Sequence, residues 1–188
     1  MWPFDIVEDA GGKPSIEVTC NGEHAHFSPE EVSALLLSKM KRIAETHLGQ
    51  AIANAVITVP AHFNESQRLA TRDAGLLAGF NVLRIMNETS AAAVAFQFQR
   101  ISHAQYLPVR NSVRNVLIVD IGGGSLDATI FQIEDNILEV KATAGDPIFG
   151  GEDLDTTVLR FALLEIQANY GVDLSLDRSA LMRLRGNS

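Results

Sequence analysis

The run Val116-Leu117-Ile118-Val119-Asp120-Ile121-Gly122-Gly123-Gly124-Ser125-Leu126-Asp127 constrains this chain more than any other segment. Apolar residues without alternation read as a strand buried on both faces. The Gly triplet after it lets the backbone turn tightly and approach a ligand closely, with no Cβ in the way. Successive N–H groups in such a turn make an anion nest suited to phosphate. Asp120, at the strand's end, is placed to hold a hydrated Mg²⁺ against that phosphate. A plain Gly-rich hairpin turn fits the same residues, because glycine is the default turn residue. The rest of the chain has to decide between them.

A length of 188 residues suffices for one domain with a full core, or for two small lobes. The net charge of −8 argues against general nucleic-acid binding, which needs a basic footprint. The single cysteine, Cys20, excludes an internal disulfide and suits a reducing compartment. No stretch approaches the roughly 18 apolar residues of a membrane span. Met1-Trp2-Pro3-Phe4-Asp5 lacks the basic-then-apolar pattern of a secretory signal. The expectation is a cytoplasmic protein with no nucleic-acid or membrane partner. His24 and His26 share a strand face, but two ligands alone make a poor metal site.

Residues 4–27 read as short strands with turns at Ala10-Gly11-Gly12-Lys13-Pro14 and at Asn21-Gly22. Ser28-Pro29-Glu30-Glu31 announces a helix: Ser28 as N-cap, Pro29 at its first position, Glu31 closing a capping box, and Gly49 as the stop. Asn54–Val59 is a β-branched run ended by Pro60, hence a buried strand. Asn64 and Gln67 start a second helix reaching about Leu77, and Val82–Ile85 is another strand. Glu88–Phe98 reads as a tightly packed helix, and 99–114 as an exposed connection between lobes. Three antiparallel strands follow, Val116–Ile121, Leu126–Ile133 and Ile137–Thr143. Gly150-Gly151-Glu152-Asp153 leads into a helix, and Ser175 is a candidate cap for a last one. Strand, helix, strand, helix in the middle of the chain makes an α/β layer.

Taken together, these segments resemble the ATPase domain of the heat shock protein 70 family, the DnaK-type chaperones. The resemblance is carried by Trp2-Pro3-Phe4, by Ser28–Val32, and by Ala55-Val56-Ile57-Thr58-Val59-Pro60-Ala61-His62-Phe63-Asn64. It continues through Gln67–Gly75, Asn81–Ile85 and Asn87-Glu88 to the Gly loop, Ala144-Gly145-Asp146 and Gly150–Asp155. It implies an actin-like (ribonuclease H-like) α/β ATPase fold in two lobes. Residues 1–98 would be part of lobe I, 99–114 the connection and 115–188 the start of lobe II. It implies ATP or ADP with Mg²⁺, and K⁺ as an accompanying cation. Gly122, Gly123 and Gly124 would give N–H groups to the phosphates, with Ser125 near the γ-phosphate and Gly151 against the nucleotide. Asp120 and Glu88 would position the Mg²⁺ shell and the attacking water, and Asp127 would add negative charge near the cations. Pro60 and Arg68 would couple the nucleotide state to a partner domain. J-domain co-chaperones, nucleotide-exchange factors and unfolded client proteins are the implied partners.

Read from the residues alone, Glu88 could be an acid favoured by the helix dipole. Asp127 could be an ordinary strand residue and Arg68 a solvated helix charge. The chain also departs from the family pattern. Thr89 stands for a proline, Gln97 for a glycine, His62 for a tyrosine, and Pro147-Ile148 for a Thr-His pair. The family's N-terminal phosphate hairpin, its catalytic lysine, the segment that grips adenosine and its peptide-binding domain have no counterpart. The expectation is therefore a fragment or truncated paralogue that binds nucleotide weakly or not at all and does not turn over ATP alone. The alternatives are a non-catalytic interaction module that binds chaperone cofactors, a non-functional truncated product, or another actin-like protein such as a sugar kinase. An uncovered sheet edge is expected to leave the chain marginally stable.

Overall fold

The helix starts are where local chemistry dictates them. The computed structural model describes residues 4–9, 11–20, 22–102, 113–134 and 137–186. Ser28 accepts from the Glu31 N–H, the Glu31 carboxylate accepts from the Ser28 N–H, and Pro29 opens α1 (Pro29–Leu48). Gly49 ends it at φ 68, a left-handed conformation that glycine adopts without a Cβ clash. Asn64 and Gln67 form the same reciprocal pair ahead of α2 (Glu65–Leu77).

The chain divides into two units. The first comprises residues 1–59 and 63–88, the second residues 60–62 and 89–188. The first unit holds an antiparallel sheet of β1 (Asp5–Glu8), β2 (Pro14–Cys20) and β3 (Glu23–Phe27). It also holds a parallel pair, β4 (Asn54–Val59) with β5 (Asn81–Asn87). Helix α2 lies on that pair so closely that a Cβ at Gly75 would stand 2.6 Å from both Ile57 and Val82. Ala74 and Val59 are buried in this contact region. Lys41 of α1 donates to the Gly79 carbonyl at 2.7 Å and stands over the Phe80 ring. That ties α1 to the end of α2.

The second unit is built on a meander, β6 (Arg114–Ile121), β7 (Leu126–Glu134) and β8 (Ile137–Asp146), antiparallel throughout. Asp127, Thr129 and Phe131 of β7 form its buried face. Helix α3 (Glu88–Ser102) reaches this unit from Thr89 onward, and α4 (Gly151–Tyr170) and α5 (Arg178–Arg185) follow. No helix among the described residues is long and apolar enough to cross a membrane.

Several expectations need correction. The run at Val116–Ile121 is not buried on both faces: Leu117, Val119 and Ile121 are 62%, 53% and 58% exposed. Its two faces differ in cover rather than in polarity, and hydropathy alone cannot report that. Helix α3 continues to Ser102, four residues into the stretch read as connection. Helical hydrogen bonding carries through Gln99-Arg100-Ile101-Ser102, which contain no breaker. Residues 103–112, the turn residues Ala10 and Asn21, and the Asp135-Asn136 turn lie outside the described residues. The last helix is capped by Asp177, which accepts from the Ser179 and Ala180 N–H groups, and not by Ser175.

Candidate functional site

The Gly-rich loop is a hairpin connection that a helix start has reshaped. It joins β6 to β7, and the Gly122 N–H closes it on the Ser125 carbonyl at 2.9 Å. The first residues of α4 then dock on it. Gly151 donates to the Gly122 carbonyl at 2.9 Å and Glu152 to the Gly123 carbonyl at 2.8 Å. At Gly150 a Cβ would lie 2.5 Å from the Gly123 carbonyl oxygen and 2.6 Å from the Gly124 nitrogen. Backbone cannot yield there, so only glycine permits this approach. Gly150 brings no capping side chain, and its own N–H is taken by the Asp153 carboxylate at 2.9 Å. The loop carbonyls therefore turn onto α4. The N–H groups of Gly123 and Gly124 make no hydrogen bond to another described residue. They lie beside the positive end of a helix dipole, an arrangement that favours an anion.

Two acids stand beside the loop. Asp120 and Asp127 are direct cross-strand partners, and Asp127 is in turn opposite Gly145. Asp127 is only 2% exposed. A buried carboxylate needs compensating donors. The Ala61 N–H meets its Oδ2 at 3.0 Å, and His62 Nδ1 meets its Oδ1 at 2.7 Å. Gly145 makes room for this: a Cβ there would be 2.2 Å from the Leu126 carbonyl and 2.7 Å from the His62 ring. One row further along, Thr129 bonds Thr89 at 2.9 Å and Thr143 at 3.3 Å. Thr89, noted in the sequence as a substitution for proline, thus pins the start of α3 to β7 by a buried hydroxyl pair.

Asp120, Gly122, Gly123, Gly124, Ser125, Asp127 and Gly151 are brought together at one end of the second unit's sheet. Pro60 belongs to that unit through its neighbours Ala61 and His62. Glu88 and Arg68 fall in the first unit. Arg68 donates to the Phe63 carbonyl at 3.0 Å and to Asn87 Oδ1 at 2.8 Å. It so links α2 to the chain leaving both parallel strands. Asp127's partner escaped sequence reasoning because His62 lies 65 residues away. The only signal was the substitution at position 62 itself. The two carboxyls held below their ordinary range, Asp9 by the Lys13 and Gly11 N–H groups and Asp173 by Ser175, lie outside this site.

The whole chain, residues 1–188, matches the sequence profile of the family described as "Hsp70 protein". A "Heat shock 70 kDa protein" of Emericella nidulans is 50% identical over 184 residues, covering 98% of this chain and 27% of that protein. The human "Putative heat shock 70 kDa protein 7" is 47% identical over 98% of this chain and 48% of its own length. A ribosome-associated molecular chaperone of Eremothecium gossypii is 46% identical over 98% of this chain and 29% of its own. The chain therefore spans between about a quarter and a half of the length of these relatives. With this match over its full length, the chain belongs to the Hsp70 protein family.

Proposed function

We propose that this chain carries the central phosphate- and Mg²⁺-binding segment of a chaperone ATPase with the actin-like fold. The observation that carries the reading is the Gly122–Ser125 loop docked on the start of α4, with the Gly123 and Gly124 N–H groups left for an anion. Donors fixed before the ligand arrives stabilise phosphate charge without reorganising. Asp120, at the strand end beside the loop, would hold Mg²⁺ through water. When bound, Mg²⁺ neutralises charge on the phosphate oxygens. Ser125 would add a hydroxyl to the same phosphates. Asp127 contributes negative potential, and it fixes Ala61 and His62 next to Pro60. In a whole chaperone, Pro60 and Arg68 would pass the nucleotide state on to client, J-domain and exchange-factor binding. The bonds of Arg68 to Phe63 and Asn87 support such a linking role. The 188 residues contain one Gly-Gly-Gly run, Gly122–Gly124. The chain alone is accordingly proposed to bind nucleotide without detectable turnover.

Isothermal titration with Mg-ATP, Mg-ADP and AMP tests this reading. ATP and ADP should bind in the micromolar range and AMP should not, because it lacks the phosphates the loop would grip. Asp120→Asn should weaken ADP binding about tenfold or more. No binding by a folded sample would favour the second reading, a non-catalytic interaction module. One observation points that way: both Asp127 oxygens are already engaged by Ala61 and His62.

A further inference from the structure

We propose that the open edge of β6 is a self-association surface, on which a second copy of this chain pairs its own β6 antiparallel about a twofold axis at Leu117. The sheet order β6-β7-β8 leaves one side of β6 unpaired among the described residues. The Gly122 N–H bonds across the hairpin to the Ser125 carbonyl, next to the pairs Ile121–Leu126 and Asp120–Asp127. Hydrogen bonding alternates along an antiparallel ladder. The even-numbered residues of β6 therefore turn their N–H and C=O groups to β7. Asn115, Leu117, Val119 and Ile121 turn theirs to the open edge. The same residues make the exposed face of the strand. Leu117, Val119 and Ile121, with Val113 just ahead of the strand, are each more than half exposed.

The residues of β6 suit pairing with themselves in one register. With Leu117 opposite Leu117 of the second copy, Val113 meets Ile121, Asn115 meets Val119 and Val116 meets Ile118 of that copy. Arg114 then meets Asp120, once at each end of the ladder. Residues directly opposite share a face of the sheet, and opposite charges there attract. No other antiparallel register of β6 on β6 sets Arg114 against Asp120. Neither side chain has an ion-pair partner among the described residues. Asp120 already stands opposite Asp127 on its β7 side, so a guanidinium on its open side offsets a like-charge contact. The other edge of the sheet, β8, is defended where β6 is not. A register irregularity between Ile130 and Phe131 of β7 leaves Lys141 of β8 without a cross-strand partner, and Lys141 pairs with Glu139 at 2.8 Å. A bulge and charges on an edge strand block further pairing. β6 runs in unbroken register against β7 and holds no proline or lysine. The contact therefore closes as a dimer instead of propagating. One strand pair buries less than the roughly 800 Å² per partner of a standard interface, so the dimer is reversible, in about the ten-micromolar range.

Sedimentation equilibrium of the full chain tests this, without nucleotide or Mg²⁺, so the outcome is independent of the nucleotide reading. The chain should pass from monomer to dimer and no further. Arg114→Glu and Asp120→Lys should each weaken dimerisation about tenfold or more, because each sets like charges together at both ends of the ladder. An equal mixture of the two variants should restore it, and so should Arg114→Glu/Asp120→Lys in one chain. Thermal melts confirm that each variant folds. A second measurement reads the register without altering charge. In a Cys20→Ser background, Leu117→Cys should give a disulfide-linked dimer under mild oxidation, since opposing Cα atoms of a hydrogen-bonded pair stand about 5.5 Å apart. Ile121→Cys should not, because this register sets position 121 against position 113. A monomer at all concentrations would overturn the proposal. So would species larger than a dimer, charge reversal without rescue, or linkage of Ile121→Cys as readily as of Leu117→Cys.

Discussion

At the scale of single residues, the second unit turns on one buried carboxyl group. Asp127 is 2% exposed and is met by two partners, the Ala61 N–H and the His62 ring. Removing the ring leaves a buried carboxyl oxygen without its partner. His62→Ala is therefore expected to destabilise the chain by about 1–3 kcal/mol, read as a lower melting midpoint. His62→Gln, which can still donate, should recover part of that. An unchanged midpoint in His62→Ala would mean that water replaces the ring at no penalty. The glycines around this residue are fixed by close approach rather than by unusual torsions. Gly145 and Gly150 face backbone atoms at 2.2 Å and 2.5 Å from where a Cβ would be.

At the scale of elements, the parts set by near neighbours in sequence were legible. Ser28 with Glu31, Asn64 with Gln67, and the meander after Arg114 all follow from contacts within a few residues. Ser28→Ala should accordingly cost about 1 kcal/mol, measurable by denaturant melts, as for other caps whose side chain accepts from the helix. Elements whose state depends on distant partners were less legible. The exposure of Leu117, Val119 and Ile121 is decided by what covers β6, which its own hydropathy does not record. The reach of α3 to Ser102 was hidden because the polar and aromatic mix after Phe96 gives weak periodicity. At the candidate site, the Gly loop and Asp120 could be read directly. The docking of α4 on the loop was not legible, since Gly150 and Gly123 are far apart in sequence.

At the scale of the whole molecule, much apolar surface stays in water. Leu35, Leu36, Met40 and Ile43 of α1 are each more than half exposed, as are Leu154, Val158, Phe161 and Leu164 of α4. Among the described residues β6 pairs with β7 alone, which leaves its other edge open. Open edges and apolar faces together favour association. The chain alone is expected to self-associate with rising concentration in analytical ultracentrifugation, and Leu117→Lys is expected to reduce that association. A concentration-independent monomer would contradict this. The central claim is that the Gly123 and Gly124 N–H groups, in a loop whose Gly122 and Gly123 carbonyls are taken by α4, receive the phosphates of a nucleotide. Amide NMR of the chain titrated with Mg-ADP tests it most directly. The account predicts that the Gly123 and Gly124 signals shift with added nucleotide, and that they shift far less in Asp120→Asn. Signals that stay in place while nucleotide binds elsewhere, or that stay in place at all concentrations, would contradict it.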